Sequence, residues 1–412
     1  MILYSSPENC CGCGTCAVVC PRHAIKMKPD KLGFCYPAIE AALCVECGIC
    51  KKTCDFQRER DIHTPQTVYA VTRKDAQALL KSASGGAFAV FAEAVLQKGG
   101  AVFGAVLKKE ASGLVPRHCT AESLAELSAM LGSKYVQSDL RDTFAQAKKQ
   151  LENGRTVLFS GTPCQIGGLK SFLKKDYPNL LTIDLVCHGV PSASMFQDYL
   201  KILEGKLGGP ITDFRFRDKT TGWGLNARVE YQDTAGNVQT ELMPSFQSSY
   251  YEYFLRSELY RDSCFNCPYA GKQHPADITI GDFWGFEIEH PEALAPDGEM
   301  DPKLGVSLLM INTEKGDTWF AHCQDEFICV PSELEKAVRH NAQLNYPSTP
   351  GKDRTQILEL YRSKGYGAVD AAFLREKKSA QRKEQIKYHL HNDIPKPVRD
   401  LVKKMLRRNQ EG

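Results

Sequence analysis

The chain of 412 residues is poor in the features that would make it a membrane or nucleic-acid protein. Its most apolar helical stretch, residues 87–96, carries Glu93 and is far too short to span a bilayer, which takes about 20 apolar residues. Its net charge is only +3, too little to argue on its own for nucleic acid or an acidic surface as partner. The opening MILYSSPENC lacks the basic start, apolar stretch and cleavage site of a secretory leader. No G-x-G-x-x-G follows the first predicted strand, so a standard Rossmann dinucleotide site is not supported. What the chain has in excess is cysteine, seventeen in all. In a leaderless chain these imply a reducing cytoplasm and cysteines used as metal ligands.

Eight of them fall into two runs of one spacing. Cys10, Cys13, Cys16 and Cys20 read C-x2-C-x2-C-x3-C, with Pro21 next, and Cys44, Cys47, Cys50 and Cys54 repeat the pattern. Three cysteines two residues apart form a tight loop whose thiolates converge on three irons of a cubane. The fourth ligand then comes from the other run, as in bacterial two-cluster ferredoxins. Two 4Fe-4S clusters are therefore expected, one on Cys10, Cys13, Cys16 and Cys54, the other on Cys44, Cys47, Cys50 and Cys20. Zinc sites use separated pairs rather than triplets, and a disulfide framework needs an oxidising compartment, so both fit poorly.

The length allows two or three domains. Residues 1–60 form the cluster module, and the polar stretch 57–65 reads as a linker. Then strands and helices alternate. Strands are expected at 68–72, 101–107, 156–160 and 180–187, helices at 85–97 and 121–131. This predicts an α/β domain, its first part at 65–150 and its second at 151–345, with a largely parallel sheet covered on both faces. Residues 214–218 and 226–232 are expected as an added antiparallel β-element. From Arg375 to Arg408 there are twelve Lys/Arg against four Asp/Glu, so 370–412 is expected as a basic helical tail. Within it Val398, Leu401, Val402, Met405 and Leu406 share one helical face. Such a helix can lie on an anionic membrane or dock a partner, or simply pack on its own domain.

Four further cysteines lie in loops that look functional: Cys164 and Cys187 at predicted strand ends, and Cys264 with Cys267 as C-x2-C before Pro268. Ligands of open α/β sheets bind outside the carboxyl ends of strands, so these four could meet around a third cluster. Reactive or structural thiols are the alternative. Cys11, Cys35, Cys119, Cys323 and Cys329 have no such context and read as bystanders.

Five motifs occur in order: SASGG at 82–86, GTPCQ at 161–165, CHGVPS at 187–192, CFNC at 264–267 and ADITIGDFW at 276–284. Over roughly residues 10–340 the chain resembles the coenzyme F420 hydrogenase/dehydrogenase β-subunit family, fused here to a two-cluster ferredoxin. The resemblance implies FAD beside a 4Fe-4S cluster on Cys164, Cys187, Cys264 and Cys267. It also implies electron transfer between flavin and iron–sulfur centres.

For the flavin, Ser84, Gly85 and Gly86 open a helix, where free N–H groups suit a pyrophosphate, although such a turn is often just an N-cap. Lys134 and Tyr135 lie in a further family-like motif, with Lys134 expected at a phosphate or the flavin edge, or in solvent. Gly161 and Thr162 offer backbone groups near the isoalloxazine. His188 adjoins a proposed ligand, Asp277 and Asp282 flank a short strand, and Trp223 and Trp284 adjoin glycines; packing and turn-fixing are their plainer roles. The expectation is a cytoplasmic iron–sulfur flavoprotein oxidoreductase working with a redox partner protein or a small hydride carrier. The alternatives are a non-catalytic electron-transfer subunit and an accessory protein for surface-polysaccharide modification.

Overall fold

The computed structural model describes residues 3–294 and 298–392. The expected amphipathic helix at 398–408 lies outside them; the basic tail is described only as the end of a helix, Tyr366–Asn392. Among the described residues, strands β1 (Ile25–Pro29) and β2 (Cys35–Ile39) form an antiparallel pair in the ferredoxin module. An eight-stranded sheet then contains β3 (Thr67–Arg73), β4 (Ala101–Glu110), β5 (Gly113–Ala121), β6 (Val157–Ser160), β7 (Leu180–Leu185), β11 (Ile278–Asp282), β12 (Ser307–Ile311) and β13 (Phe327–Ser332). Its order is β13-β3-β12-β11-β7-β6-β4-β5. β8 (Ile211–Arg215), β9 (Asn226–Gln232) and β10 (Val238–Pro244) make a separate antiparallel sheet, the expected added element.

β4, β6, β7 and β11 run parallel, and β3 shares their direction because two antiparallel pairings separate it from β11. Five carboxyl ends therefore point to one edge. The strands there are buried on both faces, as a covered parallel sheet requires. On β6, Leu158 faces a core with Phe91 and Phe320, while Val157 and Phe159 face one with Phe144 and Leu169. The helices Ala87–Gln97 and Glu314–Cys323 cover the first face, Thr143–Glu152 and Pro163–Leu173 the second.

Two expectations are corrected. The sheet expected to be largely parallel is mixed, because β5, β12 and β13 run against the other five strands. The helix expected at 121–131 shrinks to a turn, Leu124–Leu127, and a 3-10 segment, because the preceding residues form β5, a strand the sequence reading missed. Gly113, at φ 101°, makes the hairpin from β4. Pro116 argues against a strand in the sequence, yet β5 is an edge strand, where a missing N–H costs no ladder bond.

The ferredoxin module has little core of its own, a cluster of Leu3, Ile25 and Cys50. Its Leu32, Phe34 and Tyr36 are buried instead among residues of the main domain. Polar groups close the same seam. Asp55 is buried and accepts from Tyr269 Oη and, at 2.9 Å, from Ser171 Oγ. Gln137 Nε2 donates to Cys11 O at 2.8 Å, and Ser192 Oγ to Leu32 O at 2.6 Å. A hydrogen bond to a charged group contributes about 1.5–3 kcal/mol. Tyr269→Phe is accordingly expected to lower stability by about that amount in urea unfolding and to speed proteolysis within residues 58–66. An unaltered midpoint and cleavage pattern would show that the seam does not depend on this bond.

Candidate redox centre

The two ferredoxin loops are near copies. Gly14 (φ 76°) and Gly48 (φ 74°) are left-handed and precede the short helices Thr15–Val18 and Ile49–Lys52. Cys54 of the second run lies beside Cys10, Cys13 and Cys16 of the first. Burial, then the charges of Cys13, Cys10 and Cys54, push the Cys16 thiol upward. Cys54 is raised to about 11 by burial and by Cys13 and Cys10. A narrow pocket lined by Cys20, Cys44, Cys47 and Cys50 lies beside this set. Among the described residues, no three metal-binding side chains converge on a single ion position.

The third set also assembles. Cys164 sits in the first turn of the helix Pro163–Leu173, whose N-cap Thr162 and N3 Gln165 form a capping box. Cys187 follows β7, and Cys264 lies in a 3-10 turn, Asp262–Asn266, that delivers Cys267 at its end. Burial raises Cys187 well up, and so do the charges of Cys264, Cys164 and Cys267. Cys264 and Cys267 are each held at about 12, chiefly by burial. Cys187, Cys264 and Cys267 stay neutral as free thiols, and a bound metal would deprotonate them.

Cys11 corrects the sequence reading. It is buried, and its thiol lies within hydrogen-bonding reach of both Cys13 and Cys164. Its S–H lowers Cys13 to about 6, and Thr15 Oγ1 lies 3.3 Å from the same sulfur. Cys164 is lowered too, first by Cys11, with Thr162 Oγ1 3.2 Å away. No spacing rule marks this cysteine; only the approach of the two loops does. The close fit follows from Gly168, where a Cβ would lie 2.8 Å from Thr15 Oγ1 and 3.2 Å from Cys13 Sγ.

The residues expected at a flavin gather near the same sheet edge, with their amides already engaged. Gly85 N donates to Ser307 Oγ at 2.8 Å, Gly86 N to Ala83 O, Gly161 N to Ile183 O, and Thr162 N to Gln165 Oε1. Ser84 Oγ donates to Val306 O. Lys134 Nζ turns back onto three carbonyls, those of Ala129, Leu131 and Gly132, and burial pulls it down to about 7. Tyr135 stacks on Phe254, and its hydroxyl accepts from Arg217 Nη1 at 2.9 Å. Asp277 fixes Thr182 and Thr313. Asp282 instead pairs with Arg217 at 2.9 Å.

Arg217 and Lys219 are the residues that sequence reasoning missed; the basic run Arg215-Phe-Arg-Asp-Lys219 was their only signal. The Arg217 guanidinium is 3 % exposed, and its Nε and Nη2 have no hydrogen-bond partner among the described residues; the same holds for Trp223 Nε1. It lies 5.2 Å from the ring centre of Trp223 and 6.0 Å from that of Trp284. Those two rings, 4.8 Å apart, line a cavity of about 270 Å3 with Phe286, Glu287, Pro302 and Val306.

Residues 154–336 match the family that covers the C terminus of the coenzyme F420 hydrogenase/dehydrogenase beta subunit, and residues 3–26 match the 4Fe-4S binding domain. The stretch similar to that C terminus thus follows one similar to a 4Fe-4S binding domain. Among solved structures it is similar to a chain of the F420-reducing [NiFe] hydrogenase complex from Methanosarcina barkeri. That similarity has 18% identity and a TM-score of 0.42, over 78% of this chain and 95% of the other. No curated protein matches it. Among the described residues no helix is long and apolar enough to cross a membrane.

Lys219 gives this edge a pH signature. Its ammonium donates to Leu79 O at 2.9 Å and Ser84 O at 2.5 Å, and burial, then the charge of Arg217, holds it at about 7. Unfolded, a lysine titrates at about 10.4. Below pH 7 it is protonated in both states; between about 7 and 10 the unfolded chain binds more protons, so stability rises with pH. Lys219→Met removes this contribution. In urea unfolding the wild type should gain on the variant between pH 7 and 9.5; parallel profiles would rule the assignment out.

Proposed function

We propose that the protein is an iron–sulfur flavoprotein oxidoreductase that passes electrons between a hydride carrier, such as a reduced deazaflavin, and a one-electron redox partner. Three 4Fe-4S clusters and one FAD would serve this path. A flavin takes electrons as a hydride pair and a cubane carries them singly, so the two together convert one kind of traffic into the other. The observation that carries the reading is the close approach of the helix bearing Cys164 to the first cysteine loop, where Thr15 Oγ1 donates to Gly168 O at 3.2 Å and Gly168 leaves room for Cys13. The path would run from the third set through Cys10, Cys13, Cys16 and Cys54 to Cys20, Cys44, Cys47 and Cys50, where Cys47 is exposed. Thiolate ligands in this number suit a reducing cytoplasm.

The unpartnered N–H groups of Arg217 and Trp223 support a flavin or its anionic part at the sheet edge, near Ser84 and Tyr135. Arg217 would orient it by donating hydrogen bonds, and the two tryptophans would exclude water. The engaged amides of Gly85, Gly86, Gly161 and Thr162 favour a second reading, a relay subunit without flavin.

Anaerobic purification with iron, sulfide and flavin quantified tests both. About twelve irons per chain are expected for three cubanes, four for each, with one FAD. Cys164→Ser should lower iron by about four and leave the ferredoxin signals in place. Full iron in that variant would remove the third cluster, and twelve irons without FAD would leave the relay subunit.

A further inference from the structure

Arg261 is a buried cation that joins two cysteine sets. It is 1 % exposed. Its Nε donates to Cys10 O at 2.7 Å, its Nη2 to Cys35 O at 2.9 Å, and its Nη1 to Gln137 Oε1 at 3.2 Å. Nη2 also lies 3.9 Å from Cys10 Sγ. The guanidinium rests 4.1 Å from the centre of the Tyr36 ring. Its backbone belongs to the other side of the seam: Arg261 N donates to Val190 O, and Cys264 N donates to Arg261 O. Gly12 is what admits the side chain, since a Cβ there would lie 2.8 Å from Arg261 Nη1.

Every acceptor it has is neutral or a thiol, and among the described residues it forms no ion pair with a carboxylate. A buried charge without a counter-charge is costly. The nearest group able to carry an offsetting negative charge on the first cysteine set is the Cys10 sulfur.

We propose that Arg261 is a positioning residue that raises the reduction potential of a cluster on Cys10, Cys13, Cys16 and Cys54. Reduction adds one electron to a group already negative from its four thiolates. A fixed cation within hydrogen-bonding reach of one ligand sulfur stabilises the reduced form more than the oxidised one, and low dielectric enlarges the difference. The cluster nearest the seam would then accept electrons from the third set readily and hold them against back-transfer. The set on Cys20, Cys44, Cys47 and Cys50 has no contact with Arg261 and should be indifferent to it. This rests on the proposed cluster at the first set, which the iron content of the unaltered protein tests by itself.

The experiment is an EPR-monitored redox titration of anaerobic holoprotein, unaltered and as Arg261→Gln and Arg261→Lys, with iron measured in each. Cys54→Ser identifies the signal of the first cluster. In Arg261→Gln that cluster should become at least tenfold harder to reduce, a fall of about 59 mV for one electron. The second cluster should stay in place, and Arg261→Lys, which keeps the charge, should recover most of the loss. Midpoints equal to wild type in Arg261→Gln with full iron would overturn the proposal. So would equal loss of iron in both variants, which would make Arg261 a scaffold and nothing more.

Discussion

A glycine pair in the middle of one helix is the constraint on which the rest depends. Gly167 and Gly168 lie on the face of Pro163–Leu173 that meets the ferredoxin module, and neither position has room for a side chain. Gly167 yields its space to Asp55 and Tyr269, and Gly168 to Thr15 and Cys13. Glycine inside a helix costs roughly 0.5–1 kcal/mol relative to alanine. Here that cost is outweighed by what the approach permits, a charge-assisted hydrogen bond worth about 1.5–3 kcal/mol together with the burial of the seam. The same helix starts with Cys164, so the contact that docks the module also sets two cysteine groups side by side.

Docking creates an electrostatic problem that metal resolves. Without a cation the thiols of Cys16, Cys187, Cys264 and Cys267 resist ionisation, first through burial and then because a charge on one opposes a charge on the next. Arg261 has the converse difficulty, a cation with no carboxylate at hand. The proposed clusters, thiolates holding iron, would answer both and would couple loading to folding. The small core of Leu3, Ile25 and Cys50 makes the ferredoxin module especially dependent on that coupling.

Much of this was legible in the sequence wherever a local rule applied. The paired cysteine runs carry their own geometry, because three ligands come from one loop. β9 was expected at its observed bounds, and the helix before β4 ends where its apolar periodicity ends. The reading failed where long-range packing decides. β5 carries a proline and polar residues that only an edge position tolerates. Cys11 looked idle because its partners lie across the seam: Cys13 is near in sequence, but Cys164 is 153 residues away. Arg261 and Arg217 look like any other arginine in a charged chain. What distinguishes them is burial without a matching carboxylate in one case and with unsatisfied N–H groups in the other, and neither property leaves a periodic trace.

The two arginines also divide the labour of the sheet edge. Arg217 is neutralised by Asp282 and still keeps two N–H groups unmatched, so what it lacks is hydrogen-bond acceptors rather than charge. Arg261 has its N–H groups matched by carbonyls and Gln137, so what it lacks is charge rather than acceptors. A bound group rich in oxygen or nitrogen acceptors, such as the proposed flavin, would meet the first need. The proposed cluster, carrying net negative charge, would meet the second. The third cysteine set lies between them in the sequence of strand ends, with Cys164 after β6, Cys187 after β7 and Asp282 closing β11. An electron-pair carrier at one end and single-electron centres at the other is the arrangement these two unmet needs describe.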